Sequence, residues 1–516
     1  MRFFPSFRAL LLLTCVASSV ALSAVPSSRP AASGPFVRAA APPPSAAQDS
    51  AASESNAAAS RTDEPQVAFS WAESTSDLGV VALPAQPGIG GWQVGPTNTL
   101  YRSVPSFTGD PTYEVLVMPP TSGHATRAER FLLQFPADVL ERPRHEIALV
   151  VGMHGFKQTE KSVFLGTELP WECTARGWVL LSPYGLTDTN FGNVQSQRAL
   201  EACVRIVYSA IPFNHRRVYA VGFSMGGLGA LSFGMRHLDV RGLRFAGIAV
   251  HTAPLDLLRD WTEMAPPMQE LLADDLHFGA SPLEDPFAWE RVSPVRFLEN
   301  GLVDPEHVPV ENLLHVPVLL HANLADTVPH LVEGIQELKN HLLLRGATVE
   351  ESFVFDPEAG HSWSTMDFGT TLDFLAEHGL GAIPGESVLS CDRTGGWLGS
   401  ELRAKPSNTH ARYRLERAPA DIEHTNAFAL TGTRAVDELA IDVQALGLDT
   451  AAPLSFLHAS ADGTHDQLIL TGYASEPGAV LVDGAAPRFL EYDEEREELR
   501  IAPTDDGHAV RVDVIP

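Results

Sequence analysis

The sequence predicts an α/β protein: a mostly parallel sheet with helices on both faces. Two observations carry that expectation. From Thr112 onward, short apolar runs rich in β-branched and aromatic residues alternate with helical stretches. Strands that take turns with helices pair mostly in parallel, because a parallel neighbour is reached only through a crossover. Hydrophobic residues make up 44% of the 516 residues and charged residues 19%, ordinary globular composition and enough for a large core. Strands are expected at 113–118, 131–135, 147–153, 178–184, 218–223, 245–250, 316–324 and 349–355, and helices at 195–211, 228–237, 331–345 and 366–378.

Composition also bounds the function. With 36 Lys+Arg against 64 Asp+Glu the formal net charge is −28, and no Lys/Arg cluster stands ready to gather phosphates, so nucleic-acid binding is not expected. The four cysteines, at 15, 173, 203 and 391, are too few for a disulfide-dense scaffold or a zinc ribbon.

The beginning of the chain is not part of the fold. Residues 1–24 read as an export signal: Arg2 and Arg8 give a positive start, 9–20 form a short apolar run, and Ala21-Leu22-Ser23-Ala24 supply small residues for cleavage. The expected location is therefore exported: secreted, periplasmic or in the cell envelope. The apolar run is short for a bilayer and no later run reaches 18 apolar residues, so no transmembrane segment is expected. Cys15 could also be read as a lipid-attachment site, although Thr14 is larger than the residue such sites favour. Residues 25–65, rich in Ala, Ser and Pro, read as a disordered linker, and folded sequence is expected from about Gln66 to 380.

Within that stretch Gly222-Phe223-Ser224-Met225-Gly226 follows an apolar strand and precedes a helix. A nucleophile elbow needs this order, because the chain reverses so sharply that the flanking positions must lack a Cβ, leaving the serine exposed at the carboxyl edge of the sheet. Upstream, His154-Gly155-Phe156 ends the strand at 147–153. An oxyanion hole takes one backbone N–H from the residue after the nucleophile and one from such a loop, so Met225 and Phe156 are the expected donors. His154 itself reads more simply as a structural histidine.

A serine nucleophile also needs a base and a carboxylate to orient it. Asp326 is the only carboxylate in the loop after the buried strand 316–324, and Gly360 frees the next loop to project His361, the expected general base. Asp356 is a rival for the acid, but it lies at the end of the histidine's own strand.

These pieces resemble a known family. Residues 113 to 380 are similar to secreted α/β-hydrolase esterases of the polyhydroxybutyrate-depolymerase and feruloyl-esterase type, and also to the prolyl-oligopeptidase catalytic domain, through the His154-Gly155-Phe156 loop, the Gly222 to Gly227 elbow, the Asp326 to Val328-Pro329 turn and Gly360-His361-Ser362-Trp363. Where the family usually shows Asp-x-x-Val-Pro after a His-Gly strand end, this chain has His321-Ala322 and Asp326-Thr327-Val328-Pro329. The resemblance implies an α/β-hydrolase fold and hydrolysis of a small-molecule or polymer-linked carboxylic ester, with no metal or organic cofactor. Two other readings stand beside it. A prolyl-oligopeptidase-like peptidase would use the same triad, but fewer than 90 residues precede the first sheet strands where a propeller would need roughly 300. A non-catalytic hydrolase-fold binding protein would not need the intact Ser224, Asp326 and His361.

The segment at about 255–312 is far longer than an ordinary connection and holds Trp261, Met264, Met268, Phe278, Phe287, Trp289 and Phe297. In this fold it is expected to form a helical lid, whose aromatics either line a substrate pocket or pack the lid's own core. After a linker at 381–387, residues 388–516 show short alternating runs that suit a small antiparallel β domain, with 22 Asp+Glu against 11 Lys+Arg. It reads as a substrate- or surface-attachment module or a calcium site, although no EF-hand-like ligand spacing appears, or, more simply, as a solvated acidic face. Since every expected catalytic residue precedes 362, this domain is expected to be dispensable for chemistry. Cys173 and Cys203 could pair only if their helices converge, and the oligomeric state is not legible.

Overall fold

The computed structural model describes residues 93–94, 99–117, 128–380 and 386–516, apart from breaks at 212, 239–241, 392–394, 398–399, 405–408, 420–421, 423–424, 462–466 and 503–507. The export segment at 1–24, Cys15, the linker at 25–65, the start of folding near Gln66 and most of the linker at 381–387 lie outside the described residues.

Among the described residues ten strands form one sheet: β1 (Gln93–Val94), β2 (Thr99–Ser103), β3 (Thr112–Val117), β4 (Glu129–Gln134), β5 (Leu149–Met153), β6 (Val179–Pro183), β7 (Val218–Phe223), β8 (Gly247–His251), β9 (Val318–Asn323) and β10 (Val349–Val354). Their order is β1-β2-β3-β4-β6-β5-β7-β8-β9-β10. Pairing is antiparallel from β1 to β4 and between β4 and β6, and parallel from β6 across to β10. Strand residues alternate between two cores. Leu149, Val151, Val218 and Ala220 face one, while Val150, Tyr219, Val221 and Phe223 face the other. A strand buried on both faces reads as a near-continuous apolar run, which is why these strands stand out in the sequence.

Helices cover both faces. On one lie α3 (Val194–Ala210), α4 (Met225–Arg236) and α8 (Pro329–Leu344); on the other lie α1 (Glu160–Gly166), α2 (Leu169–Arg176) and α9 (Phe368–Ala376). Apolar residues three or four apart make each inner stripe, as in Leu200, Val204 and Val207 of α3 and Ile335, Leu338 and Leu342 of α8. The short helix α1 escapes the sequence reading, while α2 is the helical stretch expected around Cys173. Pro170 looks like a helix breaker, yet it falls in the first turn of α2, where its missing N–H costs nothing. Cys173 on α2 and Cys203 on α3 belong to the cores on opposite sides of the sheet, and both thiols are free and buried. Their helices do not converge.

Between β8 and β9 come α5 (Leu257–Glu263), α6 (Pro266–Leu272) and α7 (Pro286–Glu290), followed by a 3₁₀ stretch, Val308–His315. This is the helical lid segment. Trp289 is fully buried, with Phe278 stacked on it at 4.0 Å and Trp261 edge-on at 4.7 Å. The lid therefore has a small aromatic core of its own, and that core continues onto Met225, Phe156 and Phe191. With the elbow described below, the sheet, its helices and the lid make an α/β-hydrolase fold.

The C-terminal strands form two six-stranded sheets with a common core that includes Phe428, Phe456, Leu439 and Leu470. Most pairs are antiparallel. Ala427–Arg434 with Leu454–Ser460, and Glu438–Asp442 with Gln467–Thr471, are parallel. Chain segments that leave one sheet and return to it produce those pairs, a connectivity that alternation alone does not reveal. The sandwich packs through its strand Glu386–Cys391 against the 3₁₀ stretch Val308–His315, just before the amino end of β9. Leu238, two residues past α4, joins the sandwich core, and Glu311 lies 3.1 Å from Arg345 and 3.9 Å from Arg412. His410 also meets Phe287 of α7 edge-on at 5.0 Å.

Candidate active site

The site is built from the loops at the carboxyl ends of the parallel strands. Strand β7 ends at Phe223 and helix α4 begins at Met225, leaving Ser224 alone at the turn with φ +54° and ψ −120°. A non-glycine residue there is strained and needs its neighbours to hold it. The Ser224 N–H donates to the His251 carbonyl at 2.9 Å, and the Ser224 carbonyl accepts from the Leu228 N–H at 3.1 Å. A Cβ on Gly226 would lie 2.1 Å from the Met153 carbonyl oxygen and 2.7 Å from that of His154. Only glycine lets α4 start directly against the loop after β5, so the segments carrying Met225 and Phe156 run side by side.

Opposite the elbow, His361 joins the other two sequence-predicted side chains. Its Nε2 lies 2.9 Å from Ser224 Oγ and its Nδ1 lies 2.8 Å from Asp326 Oδ2. The Asp326 side chain is fully shielded from solvent, while that of His361 keeps 18% exposure. A shielded carboxylate acts on the imidazole with little screening, and the ring remains open on its working side. The second oxygen of Asp326 accepts the Val328 N–H at 2.8 Å, closing the short Asp326-Thr327-Val328 turn that leads into α8. Gly360, just before the histidine, has φ +60°, the left-handed conformation glycine adopts freely.

Asp356 takes another part. Its Oδ1 accepts the Glu358 N–H at 2.9 Å within its own turn, and its main chain is clamped by Asn323, which accepts from the Asp356 N–H at 3.0 Å and donates to its carbonyl at 2.8 Å. Asn323 also reaches the Gly360 carbonyl at 3.3 Å. This fully buried amide braces the loop that carries His361.

On the oxyanion side, the buried His154 ring sits between two main-chain carbonyls, Gly155 at 2.8 Å from Nδ1 and Tyr184 at 3.0 Å from Nε2. Burial lowers its pKa, and the neutral ring has one N–H to donate between them. Its setting is structural. The Tyr184 to Leu186 loop is held in turn by Glu129 of β4, whose carboxylate accepts the N–H groups of Tyr184, Gly185 and Leu186 at 2.9, 2.8 and 2.5 Å. Burial raises the Glu129 pKa to about 7 from its ordinary 4.5, outweighing those donors.

Sequence reasoning missed Asn323, Glu129, and a cluster of His251, His321 and Thr365 beneath the elbow. The available signal was a polar residue in the carboxyl half of an otherwise apolar strand, as at His251, His321 and Asn323. Among the described residues no group of three or more His, Cys, Asp or Glu side chains is placed to hold a metal ion, and no helix is long and apolar enough to cross a membrane.

No family model and no curated protein sequence matches the chain. Among solved structures it is similar to an S-formylglutathione hydrolase from Agrobacterium tumefaciens, at 16% identity over 54% of this chain and 98% of that one, with a TM-score of 0.37. It is also similar to a ferulic acid esterase, at 11% identity over 54% and 97% with a TM-score of 0.36. A third is an acetyl xylan esterase from Paenibacillus sp. R4, at 13% identity over 55% and 90%, again with a TM-score of 0.36.

Proposed function

We propose that the protein is a serine hydrolase that cleaves carboxylic esters through Ser224, His361 and Asp326. The observation that carries the reading is the single imidazole hydrogen-bonded at one nitrogen to a shielded carboxylate and at the other to a strained, elbow-borne serine. Ser224 Oγ attacks the ester carbonyl carbon while His361 Nε2 takes its proton, and the oxyanion is met by the Met225 and Phe156 N–H groups. Collapse expels the alcohol, which leaves with the proton from His361. Water, deprotonated by the same nitrogen, then attacks the acyl-enzyme, and collapse releases the acid and restores Ser224. Asp326 keeps the ring in the tautomer that presents a bare Nε2 to the serine. The half-buried Trp261, Met264 and Met268, packed with Phe156, support an apolar acyl or phenolic group. The signal-like start supports export.

A fluorophosphonate probe should label the protein at Ser224. A panel of p-nitrophenyl esters of graded chain length, with feruloyl and acetyl-sugar esters and a peptide p-nitroanilide alongside, should show turnover of esters. Turnover of the anilide alone, or labelling that persists in Ser224→Ala, would overturn the reading.

A further inference from the structure

Beneath the triad two fully buried histidines share one hydroxyl. His251 ends β8 and His321 lies in β9, with their rings edge to face at 4.4 Å. The Nε2 atoms of both lie 3.0 Å from Thr365 Oγ1. Each Nδ1 has a further hydroxyl partner at 3.0 Å, Thr252 for His251 and Ser352 for His321. A hydroxyl has one proton and can accept at its lone pairs, so with both rings neutral the chain from Ser352 through His321, Thr365 and His251 to Thr252 satisfies every bond by running in one direction. Burial keeps both rings neutral, holding His321 near 4 and pushing His251 well below the ordinary histidine range.

The chain ties together the three segments on which the proposed triad stands. The His251 carbonyl accepts the Ser224 N–H. His321 is on the strand that leads to Asp326, and its carbonyl accepts the Thr252 N–H at 3.0 Å. Thr365 ends the 3₁₀ turn Trp363–Thr365, which Ser362 caps and joins to His361. Phe223 lies between the two layers, 4.6 Å from the His361 ring and 5.1 Å from that of His251. Thr252 is itself strained at φ +40°, a conformation a β-branched residue adopts only when its surroundings impose it.

We propose that Thr365 is a positioning residue, its hydroxyl bridging His251 and His321 so that the segments bearing Ser224, Asp326 and His361 are held in register. This rests on the triad reading above. Misplacing reacting groups by about 1 Å costs on the order of 100-fold, so Thr365→Val, equal in shape but without the hydroxyl, should lower kcat by roughly 10- to 100-fold. KM on p-nitrophenyl acetate should stay within about threefold, since Thr365 touches no substrate. Thr365→Ser should restore kcat.

A second readout does not depend on any ester. The Nδ1 proton of His361, hydrogen-bonded to Asp326, should give a low-field proton resonance in the full-length protein; it should move or broaden in Thr365→Val and return in Thr365→Ser. If Thr365→Val does not fold, Ser352→Ala cuts the far end of the same chain and should lower kcat several-fold and shift the same resonance. Folded Thr365→Val with kcat within about twofold of the parent and an unmoved resonance would overturn the proposal. So would Thr365→Ser as impaired as Thr365→Val, or Ser352→Ala unchanged in both readouts. Ester turnover by Ser224→Ala would instead defeat the nucleophile reading, and the resonance would still decide the role of Thr365.

Discussion

Among the described residues of the ten-stranded part of the molecule, five non-glycine residues have a positive φ: Lys157, Leu186, Phe191, Ser224 and Thr252. Each lies in a loop at the carboxyl end of a parallel strand, β5, β6, β7 or β8. The C-terminal sandwich has four among its described residues, Ala418, Ala435, Asp483 and Glu497, and these fall in turns between successive strands. Strain of this kind costs on the order of 1–3 kcal/mol per residue and survives only where the surroundings impose it. In the sandwich the tight return of the chain imposes it, turn by turn and with no common location. In the large sheet it gathers at one edge, where buried groups hold three of the five: Glu129 accepts the Leu186 N–H, and the His251 and His321 carbonyls accept those of Ser224 and Thr252. Concentrated strain with buried polar support marks a site, and scattered strain marks turns.

The sharpest way to break that contrast is to remove the groups the strained edge presents. Ser224→Ala and His361→Ala should each lower kcat by roughly 10⁴- to 10⁶-fold, because members of such a triad act as a unit. Both variants should unfold near the parent temperature. Residual turnover within tenfold of the parent, in protein shown to be folded, would mean that the elbow's strain serves something other than a nucleophile.

Next in size is the choice of acid. Asp326→Asn keeps the shape but removes the charge that sets the His361 tautomer, and kcat should fall by about 10⁴ in the limiting case. Asp356→Asn alters only a turn cap and should cost less than tenfold in kcat. Steady-state kinetics on one ester decides between them: a larger loss at 356 would reverse the assignment.

How much of this was legible in the sequence follows from the same contrast. The strands of the large sheet from β3 onward were readable, the central ones because both faces are buried, so that β5 and β7 are almost purely apolar, while β1 and β2 were not read. Ser224, Asp326 and His361 were readable because local chain chemistry announces them, through the Gly-x-Ser-x-Gly elbow and the loops that follow apolar strands. The supporting layer was not, because it exists only across strands. His251 and His321 are 70 positions apart and meet Thr365 from a third segment, and nothing near any of them points to the others. Glu129 looks like an ordinary exposed carboxylate at a strand start until β4 pairs with β6 and brings Tyr184 to it. The lid's aromatics were legible as a group, but their packing around Trp289 was not.

Glu129 offers a third test, through stability. Its carboxyl binds a proton more tightly folded, at about 7, than unfolded, at about 4.5. The folded state therefore holds more protons between those values, and the contribution of Glu129 to stability is full below pH 4.5 and is lost as pH rises to 7. The change is roughly 3 kcal/mol across the window. His321, held near 4, works in the opposite sense: its contribution is full above pH 6.5 and is lost as pH falls toward 4. Denaturant midpoints at pH 5 and pH 7.5 should thus differ between the parent and Glu129→Gln in their pH dependence, with the Gln variant losing less stability on going to the higher pH. Parallel pH curves for the two proteins would show that Glu129 titrates normally and that the 184–186 loop is held by its backbone alone.

The smallest effect is expected where strain has no partner in function. Glu497 sits at φ +54° in the turn between Phe489–Asp493 and Glu498–Ala502, with its side chain exposed and its carbonyl accepting the N–H groups of Gly472 and Tyr473 at 3.1 and 3.2 Å. Glycine adopts this conformation without a steric penalty but loses more chain entropy on folding, so the two terms oppose each other at a scale of about 1 kcal/mol each. Glu497→Gly should change stability by less than about 1 kcal/mol and leave kcat and KM unchanged, since no group of the proposed site lies in the sandwich and its packing against Val308–His315 is at the amino end of β9, away from Ser224. The measurement is a melting curve beside steady-state kinetics on the same ester. A kcat loss of more than about threefold in folded Glu497→Gly would show that the sandwich communicates with the site, for which the contact of His410 with Phe287 on the lid helix α7 is the available route. The division between functional strain at the sheet edge and merely geometric strain in the turns would then fail at this residue.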